Sequence, residues 1–291
     1  MMTLSKYYGD AHLMASAFAD RPDIVQGAGG NMSVKIGAGR MLIKASGRTF
    51  GDIGKCGQNL VTVSHQKLKR YLMQEKSHRV GEGANLEIVR SCTEKSAGNE
   101  RPSMEVWFHT LLPKYVLHTH SAYVNVLACS KEGRSIFGTL MKKSGLSFCT
   151  ISYKNPGFEL GVSVAKRLRQ MSGMPAVIFL ENNGIITAGD SAKRCLEIHE
   201  ELEARIKEDL GITGASFTLL PLNKKETFNF KTVALFPDQV IYPEHPAIRT
   251  AHRFIFNTIN ESGLTVRSIS DKHVFVVANM EAEKHRKSIE K

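Results

Sequence analysis

The chain has 291 residues, 42% hydrophobic and 23% charged, with a net charge of +11; this is enough apolar material for a substantial core, and it excludes both disorder and a fibre. No apolar run approaches the roughly 20 residues needed to cross a bilayer, and the start "MMTLSKYYGDAH" lacks the layout of a secretory leader, so a cytoplasmic location without a membrane partner is expected. Lys and Arg are scattered, from "KLKR" at 67–70 to "EKHRK" at 283–287, so nucleic acid is not an expected partner, and the five cysteines form no CxxC pair and read as reduced thiols.

In chain order, residues 5–20 carry apolar residues at helical spacing and predict an amphipathic helix. "MSVKI" and "RMLIKAS" are strand-like and joined by the Gly-rich turn "GAG", a hairpin signature, and "LVTVSH" predicts a third strand. The mostly polar span 75–100 reads as a loop long enough to be a lid. There follow a helix in "SMEVWFHTLL", the strand "YVLHTHS" and a second helix from about 121. A strand near 147–153, the helix "ELGVSVAKRLRQM", the strand pair "AVIFLENNGIITAG" and the long helix "SAKRCLEIHEELEARIKEDL" complete this part. Strands interleaved with helices around a largely hairpin-built sheet predict a layered α/β domain over residues 1–215. Residues 216–291 read as strand and turn punctuated by prolines, a helix from 246 and a last strand, "KHVFVVANM". So short a piece makes a marginal core alone, and it is expected to be an extension packed on the rest.

The pair His118 and His120 stands at i and i+2 of a strand, where both side chains emerge on one face in the geometry of a bidentate metal claw. Glu105, near the start of the helix that leads into this strand, could act as general acid/base beside a metal or ligate it. "GAGGNMS" and "KASG" offer backbone N–H groups and small polar side chains that could cradle a phosphate; tight turns in a meander account for the glycines equally well. A strand follows those glycines where a dinucleotide fingerprint requires a helix, which rules that fingerprint out. The turn in "LENNGII" can deliver one side chain into a site.

Together, "GAGGNMSVK", "MLIKASG", "SMEVWFH", "VLHTH" and "FLENNGIITAGDSAKRCLEIHEELE" resemble the class II aldolase/adducin family over about residues 5–210, and "LFPDQVIY" is similar to the extension of its longer members. The resemblance implies a three-layer α/β/α domain with a mainly antiparallel sheet, assembled as a homo-oligomer, usually a tetramer, with sites between subunits. It implies His118 and His120 as Zn2+ ligands, Glu105 as the acid/base, and Asn31, Ser46, Gly47 and Ser103 as ligands of the substrate's phosphate. The implied activity is that of a metal-dependent lyase on a small sugar or sugar-phosphate-like carbohydrate. It would cleave, epimerise or dehydrate that substrate through a metal-stabilised enediolate. The rival reading is a non-catalytic adducin-like module that has lost the metal.

Two positions depart from the family pattern. Asn183 stands where the family carries its third zinc histidine, and an amide oxygen is a harder, weaker ligand than imidazole. Three outcomes follow: Glu105 completes a two-histidine, one-carboxylate site with Asn183 as a weak or water-mediated ligand; Mn2+ or another oxygen-preferring ion replaces zinc; or the metal is lost. Met104 stands where the sugar-phosphate aldolases carry a second serine, which admits a carboxylate, a nucleotide-linked sugar or a bulkier substrate reaching toward 75–100. His109 and His199 lie in helices, where packing or a local hydrogen bond is expected. His245 and His273 in the extension could supply a ligand to a neighbouring subunit, and Tyr153 falls at a site-wall position of the family.

Overall fold

Seven of the strand-like runs pair into a single sheet in the computed structural model, which describes residues 4–74, 81–94, 100–215, 217–219 and 233–284. They are β1 (Asn31–Gly37), β2 (Arg40–Lys44), β3 (Leu60–Ser64), β4 (Tyr115–Thr119), β5 (Phe148–Ile151), β6 (Val177–Leu180) and β7 (Gly184–Gly189). The order across the sheet is β3-β2-β1-β4-β7-β6-β5, antiparallel throughout except for β5 beside β6. Connection length explains the exception: β1–β2 and β6–β7 are joined by tight turns, whereas a helix separates β5 from β6, as a parallel crossover requires.

Helices cover both faces. One side holds α2 (His65–Leu72), α3 (Glu82–Ser91), α4 (Val106–His109) and α7 (Phe158–Leu168), packed on Ile43, Val63, Val116 and Ile186. The other holds α1 (Leu4–Ser16), α5 (Ala122–Ala128), α6 (Gly133–Ser144) and α8 (Ala192–Asp209), packed on Met32, Val34, Leu117, Phe179 and Ile185. The result is the expected three-layer α/β/α domain with a mainly antiparallel sheet. Among the described residues no helix is long and apolar enough to cross a membrane, and Cys92, Cys129, Cys149 and Cys195 are buried thiols, with Cys56 exposed.

The polar face of β1 is turned inward. Met32 and Val34 point to the α1 side, while Ser33 and Lys35 reach α4. The Ser33 hydroxyl meets His109 Nδ1 at 2.7 Å, and Lys35 Nζ donates to the carbonyls of His109 (3.0 Å), Leu112 and Pro113 (2.9 Å). A lysine closing the last carbonyls of so short a helix fixes where α4 ends. Burial pushes its ammonium down to about 8.

Three expectations are corrected. The span 75–100 is not simply a loop: residues 82–91 form α3, while 75–80 and 95–99 lie outside the described residues. "LFPDQVIY" holds a helix, α9 (Pro237–Ile241), with Pro237 in the first helical position where a missing N–H costs nothing. "KHVFVVANM" is α11 (Asp271–Asn279), not a strand. Its run of valines suggested β structure, but an isolated segment has no sheet edge to join, and Ser270 and Asp271 at its start suit a helix N-terminus.

The extension packs on α5. Leu235, Phe236 and Ile248, Ala251, Ile255 and Ile259 of α10 (Pro246–Glu261) cluster with Ala122, Val126 and Cys129. Polar ties reinforce the contact: the Asn182 amide donates to the carbonyls of Leu235 (2.8 Å) and Arg267 (2.9 Å), the Arg267 N–H donates to Cys129 O at 2.6 Å, and Glu181 pairs with Arg134 and Arg267. The turn between β6 and β7 is thereby clamped by residues far along the chain.

Candidate active site

Strand register brings the first two groups together. Asn31 of β1 lies opposite His118 of β4, so both side chains stand next to each other on the face covered by α4. Glu105, at the N-cap position of α4, lies over them with its N–H donating to Ser103 Oγ at 3.3 Å. Its Oε2 accepts from Asn31 Nδ2 at 2.7 Å and lies 3.3 Å from His118 Nε2, and its Oε1 accepts from Asn183 Nδ2 at 3.2 Å.

Asn183 is delivered by the β6–β7 turn, where Asn182 (φ 56°) and Gly184 (φ 77°) both take left-handed backbone. Gly184 is required twice over, because a Cβ there would also run into the Thr119 carbonyl of β4.

The tautomers of the two histidines follow from their partners. His118 Nδ1 lies 3.0 Å from the Ile185 carbonyl and His120 Nδ1 lies 2.5 Å from Asp238 Oδ2, both acceptors, so each Nδ1 carries the hydrogen. Each ring therefore aims an Nε2 lone pair at the other, and the two atoms are 3.0 Å apart. Two lone pairs hold that separation only with a cation or a proton between them. Zinc-to-imidazole bonds of about 2.0–2.1 Å at a tetrahedral angle place two nitrogens about 3.3 Å apart. Glu105, His118 and His120 each offer a ligand atom, all within 4.8 Å of one another, so the donors present fit a divalent ion.

Charge follows the same geometry. Burial alone would push the Glu105 carboxyl up, but the charge and hydrogen bond of His118, with His120 and Asn31, outweigh it and hold the group down at about 2. Burial disfavours an imidazolium at His118, yet the Glu105 carboxylate and the Ile185 carbonyl leave its pKa raised.

His109 is more than a packed core residue. Because Asn31 must turn its N–H toward the carboxylate, its oxygen faces His109 Nε2, which donates to it, while Nδ1 accepts from Ser33. Burial and then the charge of His118 push the His109 pKa well below its ordinary value, in keeping with a neutral ring that fixes the rotamer of Asn31. His199 lies on the opposite face of the sheet, bonded to Thr119 Oγ1 at 2.7 Å.

A narrow cavity of about 30 Å3 opens over these groups. Asn31, Ser46, Gly47 and Ser103, the four residues expected at an anion, all line it together with Glu105, His120, Asn183 and Met104. Three charged residues on its wall escaped sequence reasoning: Lys44, Asp238 and Glu283. Lys44, 2% exposed, ends the apolar strand β2 with its ammonium on the carbonyls of Ala28 (3.0 Å) and Arg48; a lysine inside "MLIKAS" was the available signal. Asp238 arrives from α9, and nothing local in "FPDQ" connects it to a histidine 118 residues earlier. Tyr153 packs edge-on to His273 at 5.1 Å, His273 bonds Asn155 at 2.9 Å, and His245 lies against Gly27.

The family profile of the class II aldolase and adducin N-terminal domain matches residues 13–209. The chain belongs to this family. No curated protein matches it. Among solved structures it is similar to the N-terminal class II aldolase domain of a conserved protein from Thermoplasma acidophilum (19% identity, TM-score 0.60, 72% of this chain and 96% of that one). It is also similar to an aldolase II superfamily protein from Pseudomonas syringae (16%, 0.52, 89% and 95%) and to a sugar-phosphate aldolase from Thermotoga maritima (13%, 0.52, 72% and 95%). At such identities the likeness is one of fold. The family profile ends before Asp238, so that carboxylate reaches His120 from outside the matched domain.

The His118–Glu105 pair links stability to pH and metal. Since the folded-state pKa of His118 lies above 6.5, its pairing stabilises the metal-free protein fully below that value and is lost as pH rises through the raised pKa. Thermal stability of chelator-treated protein should therefore fall as pH rises past the ordinary imidazole range, and added zinc should abolish the trend because the cation takes the proton's place. A pH-independent melting temperature in the metal-free protein over this range contradicts the coupling.

Proposed function

We propose that the chain is a metal-dependent lyase of the class II aldolase type, cleaving a small anionic sugar or sugar-phosphate-like molecule by a retro-aldol step, with epimerisation or dehydration through the same enediolate as the nearest variants. The observation that carries the reading is the convergence of the His118 and His120 Nε2 atoms and the Glu105 carboxylate within 4.8 Å. A module with no cation to hold has no physical need for three such groups, buried and mutually oriented. These residues would hold Zn2+, or Mn2+ given the oxygen donor; such an ion supplies Lewis acidity that polarises a carbonyl and lowers the energy of an enediolate.

Around it the chain's own groups divide the work. Glu105, steadied by Asn31 and Asn183, takes the hydroxyl proton from the carbon that becomes the new carbonyl and returns a proton to the enediolate carbon. Lys44, Ser46, Gly47 and Ser103, all in the cavity lining, would bind an anion, a phosphate or a carboxylate. Asn183 gives its N–H to Glu105, which leaves its oxygen to serve as a weak or water-mediated ligand. Homo-oligomeric assembly, tetrameric by family likeness, and a cytoplasmic location belong to the same proposal.

Protein purified without chelator should carry about one transition-metal ion per subunit, by elemental analysis; protein that arrives metal-free and refuses both zinc and manganese sinks the enzyme reading in favour of a non-catalytic module. Glu105→Gln should lower kcat by about 10^2–10^4-fold, measured as aldehyde release across a panel of sugar phosphates and sugar acids, and wild-type-like turnover removes Glu105 from the proton path. Asn183→His should tighten zinc binding, and an unchanged dissociation constant would show that position 183 does not face the ion.

A further inference from the structure

We propose that Asp238, carried by the extension, is a positioning residue that orients His120 as a metal donor, and that Gly29 is the gap through which it does so. The proposal rests on the metal claw of the preceding section. Asp238 is 2% exposed, and its Oδ2 lies 2.5 Å from His120 Nδ1. The carboxylate fixes the tautomer that leaves Nε2 as the donor and holds the ring in its orientation. His118 has only such a neutral partner, the Ile185 carbonyl.

Two independent observations support the assignment. The first is charge. Asp238, on His120 Nδ1, adds a second carboxylate to the Glu105 of the claw, in a cavity that the buried Glu283 also lines. The second is space. Gly29 does not have positive φ, so its backbone does not demand glycine; yet a Cβ there would sit 2.9 Å from both Asp238 Oδ2 and the Gln26 carbonyl oxygen, and 3.1 Å from His120 Nδ1. The Asp238–His120 contact is thus one of two close approaches, with the Gln26 carbonyl, that leave no room for a side chain at this glycine of "GAGGNMS".

The same contact couples the extension to the site. His120 is followed directly by Ser121, the N-cap of α5, and α10 of the extension packs on α5. Docking of the extension thus holds the helix that follows His120 and supplies the carboxylate behind its ring.

The test is metal affinity, read by chelator competition with zinc and manganese in the full chain. Asp238→Asn keeps an acceptor oxygen and removes the charge, Asp238→Ala removes both, and Gly29→Ala leaves the carboxylate in the chain but wedges it from the ring. The expected result is a loss of about 10–100-fold in affinity for Asp238→Asn, a larger loss for Asp238→Ala, and a loss in the same direction for Gly29→Ala. Thermal unfolding of the metal-free variants separates this from a purely structural role, which would lower the melting temperature and leave affinity unmoved. Dissociation constants within about twofold of wild type in both Asp238→Asn and Gly29→Ala overturn the proposal while leaving the claw intact; a wild type that binds neither metal overturns both. Should Asp238→Asn fail to fold, proton NMR decides: a far-downfield imidazole N–H resonance present in wild type and missing in Gly29→Ala supports the contact, and its absence from wild type refutes it.

Discussion

A carboxylate 6% exposed is the constraint around which the rest of the site is arranged. An ionised Glu105 in that position is tolerable only if its oxygens are matched by donors or a cation, since an uncompensated buried charge costs several kcal/mol. The chain matches it from three directions: β1 through Asn31, β4 through His118 and the β6–β7 turn through Asn183. Each partner is then held by something further out. His109 and Ser33 fix Asn31, the Ile185 carbonyl fixes His118, and the left-handed Asn182–Asn183–Gly184 turn, clamped by the extension, fixes Asn183. Two strands, the β6–β7 turn and a single-turn helix are thus locked to one another through a polar cluster lying between the sheet and its helical layer.

This arrangement explains which parts of the protein were legible in the sequence. Period two in "VLHTH" was enough to place both imidazoles on one side, because strand geometry leaves no other outcome. The hairpins and the seven strands of the sheet were readable for the same local reason. The polar face of β1 was not: alternating Asn31, Ser33 and Lys35 looks like a half-exposed strand, and only tertiary packing shows those residues meeting α4. The valine run in α11 misled because β propensity reports a fit to a sheet that this segment never joins. Asp238 was invisible because pairing across 118 residues leaves no periodic trace.

Replacement of the expected third histidine changes more than a ligand count. An imidazole at position 183 would offer a neutral nitrogen donor, whereas Asn183 turns an N–H toward Glu105 and so strengthens the carboxylate's hold in place. At the claw itself two imidazole nitrogens stand with the Glu105 carboxylate, and Asp238 backs the His120 ring. Lys44, 2% exposed, lines the same cavity together with Asp238 and Glu283.

The central claim is that Glu105, His118 and His120 converge on a single cation. Anomalous X-ray diffraction from crystals grown with zinc tests it most directly. The account predicts one peak about 2.0–2.2 Å from both Nε2 atoms and from a Glu105 oxygen. A well-ordered site with no peak there, or zinc bound elsewhere while the two rings keep their present contact, would contradict it.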